Sequence, residues 1–203
     1  MNRSRPKTKR SRALGIALTP KCVRYFEKRP FPPGQHGRRR RSESDYSQRL
    51  REKQRLRAQY DIREAQMRRA FAEAARKTGK TGENLVSLLE RRLDAFVMRA
   101  GFARTIYQSR QQVVHRHFLV NGRRVDRPSY RLRPGDVVTV APRSRDKAPF
   151  QLAAAGAWAG TGPAPSYLEA TLSDLRATLV SVPERAQVPV ICDEQLVVEY
   201  YSR

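Results

Sequence analysis

Nineteen basic and four acidic side chains crowd the first 60 residues of this 203-residue chain, and that imbalance limits what the chain can fold into more than any motif it carries. So dense a charge of one sign opposes collapse through self-repulsion until a polyanion neutralises it. The excess then thins: residues 61–150 hold 20 basic and 9 acidic side chains, residues 151–203 hold 3 and 6, and the formal net charge is +23. Nucleic acid is the polyanion such a surface suits, because phosphate contacts release condensed counterions and so supply affinity. The slightly acidic tail lies outside this footprint and is expected to pack or to face protein. Hydrophobic residues make up 39% of the chain, enough for a modest core.

Apolar spacing says where that core lies. The stretch Met1–Ser44 is rich in Arg, Lys, Pro and Gly without apolar periodicity, and Pro30, Pro32, Pro33 and Gly34 exclude a regular helix around them. It reads as a basic extended arm that a ligand orders. Ser44 is placed to N-cap a helix from Asp45 to about Tyr60, cationic round most of its circumference. Asp61 is expected to cap a second helix, with Ile62, Ala65, Met67, Ala70, Phe71 and Ala74 on its apolar side. A third, Asn84–Ala100, has the clearest pattern: Leu85, Leu88, Leu89, Leu93, Phe96, Val97 and Ala100 make a core-facing stripe that Gly101 ends.

Thr105 and Gln108 then form a capping box ahead of a short helix. Beyond it the apolar period changes to two. Phe118–Val120, Asn121-Gly122 and Arg123–Val125 predict a hairpin on a type I′ turn, and Arg133-Pro134-Gly135-Asp136 a type II turn before a strand over Val137–Val140. Pro142–Pro165 reads as a loose connection, Tyr167–Val180 as a short helix and Leu196–Tyr201 as an apolar, aromatic strand. The fold class is α+β: a basic arm over 1–44, a helical domain over 45–90, a small helix–helix–hairpin module over 91–155, and a mixed C-terminal segment over 156–203 packing on the core.

Three constellations carry chemistry. Gly34-Gln35-His36-Gly37 precedes Arg38, Arg39, Arg40 and Arg41, so glycines that allow close approach to phosphates stand beside guanidiniums that fork onto phosphate oxygens or stack on bases. A basic tail or localisation signal shares that composition, but the flanking prolines stiffen this one. Arg49, Arg51, Lys53, Arg55 and Arg57 make the cationic helix, a pattern shared by solvated helices, in which the one-sided charge favours phosphate contact. Arg91, Arg92, Arg104, Arg110, His115, Arg116, Arg123 and Arg124 surround the short helix and hairpin, where together they could clamp a folded RNA backbone. Singly, each is more often a surface residue.

Other classes find little support. His115 and His117, or Cys22 near His36, lack the second pair that structural zinc requires, and the two histidines suit a helix C-terminus. No phosphate-binding P-loop, nucleophile elbow, dinucleotide fingerprint or zinc-protease helix motif is present. Glu90 and Asp94 read as ion-pair partners of Arg91 or Arg92. The chain is therefore expected to have no catalytic activity, cofactor or small-molecule substrate. Cys22 and Cys192 make no disulfide framework and read as reduced thiols of a cytosolic protein. No apolar stretch follows the basic Met1–Arg12 as in a secretory signal, and the longest weakly apolar run, Leu152–Gly160, is too short to span a membrane.

Several segments together resemble one family, the universal small-subunit ribosomal protein number four. They are the run Arg29–Gly37, Ser44-Asp45-Tyr46 with Leu50–Gln54, Leu88–Asp94, Val120–Val125, Pro128-Ser129-Tyr130, Arg133–Asp136 and Glu194–Arg203. The resemblance spans nearly the whole chain and is weakest across Pro142–Pro165. It implies a primary binder of small-subunit ribosomal RNA that nucleates assembly of the subunit body in the cytoplasm. It also implies contacts with small-subunit proteins five and twelve that affect translational accuracy, and a place near the mRNA entry channel. The region from about Arg92 resembles the small RNA-binding module named after the family, whose RNA-facing positions fall here on Arg104, Ser109, Arg110, His115, Asn121, Gly122, Arg123 and Ser129; Arg92 joins them as a candidate contact.

Departures from the family pattern carry expectations of their own. Some members bind zinc through four N-terminal cysteines; this chain keeps only Cys22 there, which implies that zinc binding is lost and that RNA orders the stretch around Lys7, Lys9, Arg10 and Arg12. Members often have Gly between the two histidines, and Arg116 in its place implies a left-handed arginine or a different helix ending. The same small module is appended to pseudouridine synthases and tyrosyl-tRNA synthetases, but only 53 residues follow Phe150, too few for such a catalytic domain. A stand-alone RNA chaperone, or an accessory protein of RNA modification, is the alternative use of the module.

Overall fold

A computed structural model describes residues 6–38, 42–158 and 164–202. It divides into two compact units, Met1–Phe71 with Val190–Arg203, and Ala72–Pro189. The boundaries differ from those expected: the last stretch of chain belongs with the first, and the module extends well past 155.

In the first unit the arm is not extended. It folds into α1 (Lys7–Leu14) and α2 (Pro20–Lys28). A small apolar cluster of Leu14, Ile16 and Ala58, with Leu18 against it, organises them. Their spacing follows a helix ending rather than a helix face, which is why periodicity missed them. Gly15 closes α1 at φ 69°, and Arg55 Nε donates to Leu14 O at 2.6 Å, satisfying a terminal carbonyl. Cys22 is buried, with Thr19 Oγ1 donating to its sulfur at 3.0 Å and Thr8 Oγ1 lying 3.9 Å from it. Burial pushes this thiol up, but hydrogen bonds with Thr19, Ser11 and Thr8 outweigh it and hold its pKa below the ordinary thiol value.

Helix α3 (Asp45–Gln59) starts where expected, with Ser44 Oγ accepting from the Ser47 N–H at 3.3 Å. It is not polar all round. Glu52, Lys53, Leu56 and Ala58 are buried, and α9 (Glu194–Tyr201) packs along it. Leu196–Tyr201 was expected as a strand, but Asp193 caps a helix there by accepting from the Gln195 and Leu196 N–H groups. Asp61 does not cap the next helix either: it sits at φ 47°, and α4 (Glu64–Ala75) begins three residues later.

In the second unit the stripe over 84–100 belongs to two helices, α5 (Thr81–Glu90) and α6 (Leu93–Arg99). The break comes at Arg92, extended at φ −68°, ψ 142°, and it is held by the returning chain: Leu93 N–H donates to Tyr130 O and Leu132 N–H to Arg91 O. Buried leucines on both sides keep the apolar spacing nearly helical across it. Helix α7 (Ile106–Val114) follows, capped by Thr105 Oγ1 accepting from the Gln108 N–H; Gln108 in turn accepts from the Arg104 N–H. Arg116 adopts φ 60°, the left-handed arginine among the two endings weighed.

The sheet has the order β2-β1-β3-β5-β4 and is antiparallel throughout. Its strands are β1 (Phe118–Val120), β2 (Arg123–Arg124), β3 (Val137–Val140), β4 (Leu168–Thr171) and β5 (Arg176–Leu179). Phe118 opposes Val140 and Val120 opposes Val138, all four buried, so one face closes the core. Asn121 (φ 49°) and Gly122 (φ 77°) make the type I′ turn, and Gly135 (φ 91°) the type II turn. The 167–180 region is the β4–β5 hairpin rather than a helix: Leu168, Ala177 and Leu179 are buried in alternation with half-buried or exposed positions. Nor is 142–165 merely loose. It holds a 3-10 turn, Pro142–Ser144, and α8 (Ala148–Ala154), anchored by buried Ser144, Phe150 and Ala153; residues 159–163 of that stretch lie outside the described residues.

Candidate nucleic-acid interface

The glycine-rich loop of the first unit is a folded object. Arg12 Nε donates to Arg29 O (3.1 Å) and Phe31 O (3.0 Å), and Nη2 to Pro32 O (3.3 Å), so one guanidinium gathers three backbone carbonyls of the loop. The same group lies 5.0 Å from the Phe31 ring centre, and Arg38 lies 4.9 Å from it. Gly37 N–H donates to Gly34 O, and a Cβ on Gly37 would fall 2.0 Å from Pro32 O. Only glycine fits. Arg38 is thus presented, exposed, by a preformed loop; Arg39, Arg40 and Arg41 lie outside the described residues.

The five cations of α3 are placed differently from expectation. Arg49 pairs with Glu199 (2.7 Å), Arg51 with Glu43, Lys53 with Glu64 (3.2 Å), Arg55 with Glu52 (2.6 Å) and Arg57 with Glu64 (2.7 Å). Lys53 Nζ also lies 4.2 Å from the Tyr200 ring centre. Burial raises the Glu64 pKa, but hydrogen bonds from Tyr201, Arg57 and Lys53 prevail and hold it below the usual carboxylate value. Much of the charge read as a phosphate surface therefore joins α3 to its neighbours within the unit.

In the second unit the expected residues differ in what surrounds them. Arg92 and Ser109 are buried: Arg92 Nε and Nη2 fork onto both oxygens of fully buried Asp94 (2.9 and 2.6 Å), and the Ser109 hydroxyl donates to Asp94 O. Their side chains serve the interior of this unit. Asn121 is exposed, but its side chain joins the turn to β3, donating to Asp136 Oδ1 and accepting from the Val137 N–H. Arg104 lies 5.8 Å from the Trp158 ring centre, and Arg110 is half-buried. His115, Gly122, Arg123 and Ser129 are exposed.

Arg131 and Arg133, not singled out by sequence, flank buried Leu132 and stand exposed beside half-buried Arg91, whose Nε donates to Leu132 O. Burial lowers the Arg91 pKa, and the charges of Arg131 and Arg133 lower it further. Three guanidiniums crowd one spot. A cation–apolar–cation alternation around a single buried leucine was the available signal. Arg131 also pairs with Glu73, whose carboxyl that hydrogen bond holds below its ordinary pKa. With exposed Arg123, Arg124 and Arg127, this unit displays cations as a surface.

Among the described residues no group of three or more His, Cys, Asp or Glu side chains is placed to hold a metal ion, and no helix is long and apolar enough to cross a membrane. The sequence matches the family described as "Ribosomal protein S4/S9 N-terminal domain" over residues 2–90 and the "S4 domain" over residues 91–138. Two relatives, both named small ribosomal subunit protein uS4, extend the similarity. That of Streptomyces griseus subsp. griseus is 62% identical over 202 residues, covering 100% of this chain and 99% of the relative. That of Beutenbergia cavernae is 63% identical over 203 residues, covering 99% and 98%. The chain belongs to the uS4 family. Its α+β architecture fits that membership, and the uS4 family is one of ribosomal structural proteins.

Proposed function

We propose that this chain, a structural constituent of the small ribosomal subunit, binds ribosomal RNA through two basic surfaces and acts as a scaffold without catalysis. One is the Phe31–Arg38 loop of the first unit. The other is the cationic surface of the second unit, carrying Arg91, Arg123, Arg124, Arg127, Arg131 and Arg133. The observation behind this reading is the crowding of Arg91, Arg131 and Arg133, whose mutual repulsion Glu73 and Asp136 offset only in part, leaving Arg91 below its ordinary pKa and the cluster an anion-seeking surface. Arginine is suited to the task because its planar fork meets phosphate oxygens in pairs. Family resemblance further supports an early role in assembling the subunit body, contacts with small-subunit proteins five and twelve, and a position by the incoming mRNA on the cytoplasmic ribosome.

The test is binding to small-subunit ribosomal RNA over a range of salt. Replacing Arg131 and Arg133 with Gln is expected to weaken binding and to flatten its log–log salt slope by roughly 0.7–0.9 for each phosphate no longer neutralised. An unchanged slope would remove this surface from the RNA. Sedimentation of the chain apart from small subunits in cell extract would overturn the scaffold reading.

A further inference from the structure

The S4-domain match ends at residue 138, but the second unit continues beyond it into a basic turn built onto the sheet, within the stretch that the uS4 relatives also cover. Ala141 N–H donates to His117 O at 2.8 Å, tying the end of β3 to the start of β1. The chain then turns at once: Ser144 N–H donates to Ala141 O, Lys147 N–H to Ser144 O, and Phe150 N–H to Lys147 O. Ser144 is fully buried with its hydroxyl 2.8 Å from His117 Nδ1, and buried Phe150 packs edge-on against His117 (5.5 Å) and Phe118 (5.8 Å). What faces inward is small or aromatic. What faces outward is Arg143, Arg145 and Lys147, all exposed, with Asp146 the one acid in the turn.

This rigid turn stands over the end of α7, where exposed His115 lies 6.1 Å from the His117 ring. Burial lowers the His117 pKa, and Lys147, His115 and Arg143 lower it further. Two cations, Arg143 and Lys147, and a second imidazole therefore act on this one ring. From the strand register, Phe118 opposite Val140, this lies at the other end of the β1–β3 pair from the Asn121–Gly122 turn.

We infer that the 142–147 turn, with His115 at the end of α7, is a second RNA-phosphate-binding site in this unit, in which Arg143 and Lys147 converge on a backbone phosphate beside His117. The site rests on the RNA-binding reading above and adds to it contacts outside the matched S4 domain. Phosphate docked there offsets the charges of Arg143 and Lys147, so the neighbouring ring accepts a proton more readily. Binding then takes up a proton, and affinity rises as the pH falls through the histidine range.

The experiment compares the full chain with two double variants, Arg143→Gln/Lys147→Gln and Arg123→Gln/Arg124→Gln, on small-subunit ribosomal RNA. For the turn variant the expected result is a salt slope shallower by about 0.7–0.9 for each phosphate no longer held, and a flatter affinity profile between pH 6 and 8. Its thermal melt should match that of the unaltered chain. A shallower slope in the Arg123/Arg124 variant with no change in the turn variant would overturn this inference alone. No salt-dependent binding by the unaltered chain would overturn the RNA reading beneath it. Binding of poly-glutamate that the turn variant abolishes, with RNA affinity unchanged, would instead assign the turn to an acidic protein partner.

Discussion

Replacing Arg92 with Ala separates what holds the second unit together from what it offers to RNA. In the fold Arg92 has 7% of its side chain exposed and Asp94 none, and the pair makes two hydrogen bonds. Truncation leaves a buried carboxylate that keeps the Ala95 N–H, at 3.0 Å, and the charge of Arg110 but has lost its forked guanidinium. Breaking one half of a buried pair costs about 3–5 kcal/mol, and the residual help from Arg110 points to the lower end. About 3 kcal/mol is more than a hundredfold in the folding equilibrium. The deficit should also depend on pH. Burial raises the Asp94 pKa and Arg92 opposes that rise, so without Arg92 the folded-state pKa climbs further above its unfolded value. Stability is then retained in acid and lost as pH rises through that value. The assay is urea unfolding followed by a probe in the second unit at pH 5 and pH 7.5, paired with RNA binding under conditions where the variant is folded. We expect the gap from the unaltered chain to be widest at pH 7.5 and to narrow in acid, with the RNA salt slope unchanged. A variant as stable as its parent whose slope drops by one phosphate would refute the reasoning and return Arg92 to the RNA.

Gly37→Ala should weaken RNA binding severalfold while leaving the unit's melt within about 1 kcal/mol, because its Cβ meets Pro32 O and opens an exposed loop rather than the core; tryptic cleavage after Arg38 should quicken, and an unchanged cleavage rate would count against a preformed loop. Tyr201→Phe removes the hydroxyl that donates to Glu64 at 2.7 Å. Glu64 titrates low in the fold, so its contribution to stability is present above the ordinary carboxylate pKa and lost as pH falls through the lowered one. The variant should therefore lose stability near neutral pH and show a shallower acid decline; parallel acid limbs would contradict that. Thr19→Val deprives the Cys22 sulfur of its closest donor and should raise the thiol pKa, read as slower alkylation in gently loosened protein, whereas chelator should leave RNA binding of the unaltered chain intact.

Much of the second unit was legible because its constraints are local. A type I′ turn needs two residues at positive φ, and Asn121-Gly122 announces one; Thr105 announces a cap; alternation at Phe118, Val120, Val138 and Val140 announces a buried sheet face. The misreadings share a physical cause, which is that the deciding partner is distant in sequence. Leu196–Tyr201 has the apolar, aromatic content of a strand, yet its helix is stabilised by packing along α3. The break at Arg92 exists because Tyr130 and Leu132 supply the hydrogen bonds a continuous helix would have made. In the candidate interface, a string of arginines on α3 could not reveal which of them meet carboxylates, since Glu199 lies 150 positions from Arg49. Arg131, Arg143 and Lys147 carry no motif, and Arg133 only that of a turn; folding brings Arg131 with Arg133, and Arg143 with Lys147, into two separate cationic clusters.

The partnership of α3 with α9 sets a timetable. The first unit is sewn from the two ends of the chain, with the whole second unit encoded between them. At translation rates of roughly 5–20 residues per second, on the order of ten seconds separate the appearance of α3 from that of α9. For that interval Arg49 has no Glu199 and Lys53 neither C-terminal tyrosine ring, while Arg51, Arg55 and Arg57 can already meet carboxylates encoded nearby. The inserted unit can finish folding first, and the ends close last.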